Sequence, residues 1–237
     1  MASASSTSDG ASKPEVSALA STQHITIDFS SHSQTMVTFI VGAEPDKQSF
    51  LVHKHLASAH SSFFKAAFES PMVEGTTQTM RLEDVEVETF GVLVHWMYTG
   101  EIKAGLGSFT NDKGAQDYDL TKLAKVWKLA ERVLMPRLQN ATIIDMFINR
   151  KLAGDGSLVK VANFVFPNQS EPPSNLRKLI FQLVAFESAG ARYERNVDLL
   201  PYILLRQISI SLSRIYGLSK KGRRGCLGID GFTEHIA

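Results

Sequence analysis

Residues 50–68 read FLVHKHLASAHSSFFKAAF, and the hydrophobic period changes inside them. Up to Val52 the chain carries the β-branched and aromatic residues of a strand, whereas from Lys54 onward its apolar residues return at helical spacing. Two short helices are predicted: Lys54 to Ala59, then one opened by Ser61 or Ser62 as N-cap. In the second, Phe63 pairs with Ala67 and Phe64 with Phe68 at i,i+4, so Phe63, Phe64 and Phe68 are expected in the core.

On the N-terminal side, MVTFIVG at 36–42 reads as a buried strand. Glu44-Pro45-Asp46-Lys47 then supplies turn chemistry before Ser49 to Val52, which makes a hairpin. On the C-terminal side, Thr79 to Leu82 reads as a third strand. An acidic connection leads to a helix in which Phe90, Leu93, Val94 and Met97 recur at i, i+3, i+4 and i+7, closed by Gly100 as a left-handed cap. Phe90 and Trp96 are expected in the core, and Trp96 and Tyr98 to pack against the helices that follow rather than on a ligand.

Composition divides the rest. Residues 1–33 are rich in Ser, Ala and Thr with few apolar islands and are expected to form a flexible N-terminal tail. Residues 104–119, AGLGSFTNDKGAQDYD, lack helical or strand period and read as an inserted surface loop. A helical C-terminal extension is expected over 151–218. Ser174 can cap a helix bearing Leu176, Leu179, Ile180, Leu183 and Val184, and Ile203, Leu204, Ile208, Leu212 and Ile215 form a second apolar face. Val161 to Phe166, ahead of both, could add a short strand or turn, and its type stays open from pattern alone. Residues 219–237 are expected to form a flexible basic tail carrying Lys220, Lys221, Arg223 and Arg224, a solvated segment or a nuclear import signal.

The 25 basic and 24 acidic residues balance to a net charge of +1, which argues against nucleic acid or an anionic membrane as a partner held by bulk charge. The single cysteine, Cys226, permits neither an intramolecular disulfide nor a multi-cysteine zinc site, as expected of a reducing, intracellular setting, cytoplasmic or nuclear. The first residues lack the basic flank and apolar stretch of a secretory signal, and no apolar run reaches membrane-spanning length. Asn140 and Asn168 head glycosylation sequons, which have meaning only in a secreted chain.

The series VTFIVG, FLVHKHLASAHSSFFKAAF, Met80-Arg81-Leu82-Glu83-Asp84 and TFGVLVHWMYTG closely resembles the BTB/POZ domain, particularly the form common in fungi, over about residues 35–150. LTKLAKVWKLAERVLMPRLQN continues the match as the helical pair that completes such a domain, with Leu120, Leu123, Ala124, Trp127, Ala130 and Leu134 on one face. The resemblance implies an α+β fold, a small sheet capped by helices, used for homodimerisation, partner recruitment or both. It also implies that His53 is a buried histidine tying the hairpin to the following helix by a backbone hydrogen bond.

His53, His55 and His60 otherwise invite a metal reading, but no carboxylate or cysteine lies near them in sequence to complete a site, so structural roles are expected. Glu83, Asp84, Glu86 and Glu88 bracket a helix start, where negative charge is favoured, and read as a solvated cluster rather than catalytic carboxylates. The chain has no GxSxG elbow, no phosphate-cradling glycine loop before Lys-Ser/Thr and no HExxH. No enzymatic activity and no cofactor or metal are therefore expected.

Met72-Val73-Glu74 is the most specific functional clue. In BTB adaptors of cullin-based ubiquitin ligases, the loop after the Phe-rich helix carries a similar apolar-x-Glu pattern, its apolar residue entering a cullin pocket while the glutamate fixes the loop. The resemblance thus implies Met72 and Glu74 as partner-binding residues; a glutamate that merely organises the loop is the alternative. Many animal members have an aspartate before the first-strand Val-Thr, paired with a basic residue after the second-strand histidine. Here Met36 takes the acid's place while Lys54 is retained. The function implied is a scaffold or adaptor that self-associates and recruits a cullin or an unknown client. A transcription or chromatin regulator is the alternative, and it would act through a DNA-binding partner, since the chain has no DNA-binding motif.

Overall fold

The computed structural model describes residues 30, 34–103, 105–110, 114, 116–167, 171–188 and 190–217; most of both tails, with Cys226 and the basic cluster, lies outside them. Strand β1 (Met36–Val41) pairs antiparallel with β2 (Gln48–His53) and parallel with β3 (Thr79–Leu82), giving the order β2-β1-β3. Alternation sets the faces: Val37, Phe39 and Val41 point inward and are fully buried, while Met36 and, on β2, Leu51 remain on the open face.

Helices α1 (Lys54–His60) and α2 (Ser62–Glu69) follow directly, then α3 (Val73–Thr77) and α4 (Val87–Thr99), ended by Gly100 in the left-handed conformation. Ser61 is the N-cap of α2. Its hydroxyl oxygen accepts from Phe64 N–H at 2.9 Å and its O–H donates to the Val133 carbonyl at 2.6 Å, so one buried residue both starts a helix and ties it to a distant turn. With that phase, Phe64 and Phe68 face the sheet. Their rings lie 4.9 and 5.5 Å from Phe39, which also meets Phe90 at 5.0 Å. Phe90 and Trp96 are buried in the same cluster.

Phe63 corrects the sequence expectation: at 37% exposed it sits on the rim, because the helical turn of about 100° per residue carries it off the face that Phe64 defines. Tyr98 is likewise 39% exposed, and its ring lies 5.9 Å from that of His53. His53 is half-buried, with Nδ1 2.9 Å from the Tyr98 hydroxyl, a link from β2 to α4.

The insertion is not a bare loop. Strands β4 (Ser108–Thr110) and β5 (Gln116–Tyr118) form an antiparallel hairpin, and Tyr118 at its base is buried against Gly107, where a Cβ would come within 2.7 Å of the ring. Ser157 stitches this base to a later helix, its hydroxyl donating to Tyr118 C=O at 2.6 Å and accepting from Leu120 N–H at 3.0 Å.

Helices α5 (Leu120–Arg132) and α6 (Pro136–Asn149) are followed by α7 (Asp155–Val165), α8 (Asn175–Gln182, capped by Ser174), α9 (Ala191–Asn196) and α10 (Tyr202–Gly217). Val161 to Val165 is therefore helix, not strand or turn; packing of Leu158, Val161, Ala162 and Val165 on one buried face decides what the short run alone left open. Helix α5 ends at Arg132, and Leu134, at φ 53°, turns outward to 54% exposure instead of joining the Leu120 face. Leu212 is 37% exposed, so the inner face of α10 rests on Leu204 and Ile208; the Ile215 side chain lies outside the described residues.

Candidate functional site

Helix α2 ends in a tight loop that presents Met72 and Val73. Ser70 organises its start: the hydroxyl donates to Ala67 C=O at 2.8 Å and accepts from Met72 N–H at 3.2 Å. Thr76 closes the other side, both its N–H (2.9 Å) and its hydroxyl (2.6 Å) donating to Met72 C=O. Gln78, in the left-handed conformation at φ 50°, donates its amide to Phe68 C=O at 3.1 Å and to Gly75 C=O. Gly75 is required by contact: a Cβ there would lie 1.8 Å from the Ser70 carbonyl oxygen.

On this frame Met72 is 69% and Val73 70% exposed, next to each other and apolar. Glu74 is half-buried in the first turn of α3, where its charge suits the helix N-terminus, and makes no hydrogen bond or ion pair among the described residues. Fixing of the loop, expected of Glu74, is done by Ser70, Thr76, Gln78 and the close approach at Gly75. The sequence did carry a signal for them: Ser-Pro, then Gly and paired Thr in SPMVEGTT, are turn and cap residues.

Lys54 donates its Nζ to Phe68 C=O at 2.9 Å, joining α1 to the end of α2. Met36, at the usual acid position, is 37% exposed.

Three of the four acidic residues are solvated and also ion-paired. Asp84 pairs with Arg132 (2.5 Å), Glu86 with Lys125 (2.5 Å) and Glu88 with Lys122 (3.0 Å), so the approach to α4 is clamped along α5 by exposed ion pairs. Arg132 holds the Asp84 carboxyl below the usual carboxylate range, chiefly through its hydrogen bond. Among the described residues no group of His, Cys, Asp and Glu is arranged to hold a metal ion. No helix among them is long and apolar enough to cross a membrane.

A small sheet capped by short helical pairs, with an apolar loop held out at the end of one of them, makes this an α+β architecture. The family model for the BTB/POZ domain matches residues 28–145, and this part of the chain is a BTB/POZ domain. The chain is 28% identical to Kelch-like protein 40 of Xenopus tropicalis over 105 residues, 44% of this chain and 14% of that protein. It is 33% identical to BTB/POZ domain-containing protein 6-A of Danio rerio over 75 residues, 32% of this chain and 14% of that one. The chain thus matches about a seventh of the length of each relative.

Proposed function

We propose that this chain is a scaffold or adaptor, of the fungal-type BTB form, that self-associates and recruits a partner through the Met72 loop, and that the partner there is a cullin. The observation that carries the reading is the exposure of Met72 and Val73 on a loop whose backbone is fixed before any partner arrives. Apolar side chains held out in this way cost little in the free protein and lose little entropy on docking. Their position after the Phe-rich helix is the one the apolar-x-Glu pattern occupies in cullin adaptors. Glu74, free of internal partners among the described residues, is available to the cullin side of the contact. Self-association here works without the familiar acid-base pair, since Met36 replaces the acid and Lys54 is occupied within the protomer.

The test is a pull-down against the cullin of the same organism, with circular dichroism as folding control. Met72→Ala/Glu74→Ala should keep its fold, since both side chains lie outside the core, and lose the cullin, because truncating an interface anchor costs more than about 1 kcal/mol of binding. Equal capture by wild type and variant, or none by wild type, removes the cullin and leaves the interaction module. Self-association should appear in light scattering as mass above the monomer at micromolar concentration; monomer mass across the whole series would contradict it.

A further inference from the structure

We propose that the groove between α8 and α10 docks an acidic segment of a partner protein that carries an aromatic or aliphatic anchor. The proposal rests on the interaction-module reading and places a second contact surface outside the BTB core. The groove encloses about 610 Å³ between Arg177, Lys178, Phe181 and Gln182 on α8 and Ile210 and Arg214 on α10. That volume falls in the range of about 300–1,000 Å³ typical of sites that take a drug-sized group or several side chains.

Charge gives the occupant its sign. No carboxylate lines the groove among the described residues. Arg177 is buried and already balanced: its guanidinium reaches the Val165 carbonyl (3.2 Å) and Glu171 (3.4 Å) and lies 4.3 Å from the Phe166 ring centre. Lys178 and Arg214 are exposed, and neither is paired with a carboxylate among the described residues. The Lys178 ammonium has only the neutral Asn175 amide oxygen at 3.0 Å, and Arg214 has no ion pair among the described residues. Two open cations therefore flank a floor made by Phe181 and Ile210. Phe186, 42% exposed and 6.3 Å from Phe181 between ring centres, extends the apolar surface. The side-chain oxygen of Gln182, a residue of the groove lining, is buried without a hydrogen-bond partner among the described residues.

A nucleic acid strand fits poorly. It calls for a run of cations following the backbone and aromatic faces open for stacking, whereas two cations around an apolar floor match a carboxylate beside a hydrophobic anchor.

Random peptides displayed on phage are panned on the full-length chain and, in parallel, on Lys178→Glu/Arg214→Glu, both checked by circular dichroism. Peptides with carboxylates next to an aromatic or aliphatic residue should enrich on wild type. Their affinity, read by fluorescence anisotropy, should fall roughly tenfold on the double variant, persist on Lys178→Arg/Arg214→Lys, and weaken with added salt. No enrichment, neutral consensus sequences, or equal binding to the charge-reversed chain would overturn the proposal. So would displacement of the enriched peptide by a synthetic peptide of residues 228–237, which would make the chain's own tail the occupant. Met72→Ala should leave the selection unchanged, so this proposal and the cullin reading fail independently.

Discussion

Phe63 and Phe64 are adjacent, chemically identical and opposite in role. Phe64 is fully buried among Phe39 and Phe68, and Phe63 is 37% exposed with its ring against Phe64 alone among the aromatic contacts described. Truncating a buried phenylalanine removes its burial and leaves a cavity, so Phe64→Ala should cost about 3–5 kcal/mol. Phe63→Ala should cost less than about 1 kcal/mol, as at surface positions without special roles. Urea titration of both variants checks this, and similar midpoints for the two would show that the ring assignment is wrong. The two i,i+4 pairs in SSFFKAAF are equally good helical patterns, so the sequence alone admitted both rings to the core. What separates them is the cap: the hydroxyl of Ser61 fixes where the helix begins, and so which ring faces Phe39. The same limit applied to Met72 and Glu74. Their place in a loop was legible, but exposure and partnership depend on Gly75 approaching the Ser70 carbonyl, a contact that no spacing announces.

The β4–β5 hairpin shows how an element escapes a reading based on period. Its strands are three residues each, too short to alternate, and polar at every position but Phe109 and Tyr118. Tertiary contacts make it: Tyr118 donates its hydroxyl to Asp145 on α6, Asn149 donates to Asp145 Oδ1 at 3.2 Å, and Asp117 accepts from Gly154 N–H at 2.8 Å. Burial raises the Asp145 carboxyl above the usual range, with the Tyr118 hydrogen bond offsetting part of the shift; burial and the Asp145 charge keep the Tyr118 phenol protonated. An acid whose folded pKa is raised binds its proton more tightly in the folded state. Its contribution to stability therefore falls as pH climbs from about 4 through the raised value. Asp155 has the opposite sign and a lower window. Burial pushes it up, but hydrogen bonds from Asn196 and Arg195 and the charges of Arg195 and Arg192 pull it below the usual range. Its stabilisation is present above about 4 and is lost as pH falls through the lowered value. Asp145→Asn keeps an acceptor for Tyr118, sets an amide NH2 against Asn149 at a cost that does not vary with pH, and removes the titrating carboxyl. The melting temperature of the variant relative to wild type should thus rise between pH about 4 and 7, and a difference that stays constant with pH would refute the linkage.

Helix α5 belongs to both halves of the molecule. Val126, Leu129 and Ala130 join the sheet-side cluster, while Leu120, Leu123, Ala124 and Trp127 lie in a second cluster with Leu158 and Val161 of α7, Leu176, Leu179 and Ile180 of α8, and Leu204 and Ile208 of α10. Ile102 and Leu106 pack against both clusters. The family match ends within α6, at residue 145, and the resemblance read from the sequence fades near 150; neither extent shows that one helix is buried on two sides. If the chain were cut after residue 150, the Leu120, Leu123 and Trp127 face would lose its cover. Returning a buried large apolar side chain to water costs about 1.5–3 kcal/mol, so three of them amount to a substantial part of the roughly 5–15 kcal/mol that holds a domain folded. Residues 1–150 alone should melt far below the full chain or aggregate, and the full chain should unfold in one transition that coincides by circular dichroism and tryptophan fluorescence, since Trp96 reports on the first cluster and Trp127 on the second. A fragment that melts cooperatively near the temperature of the full chain would show instead that the C-terminal helices are an independent appendage, and that α5 tolerates an uncovered face.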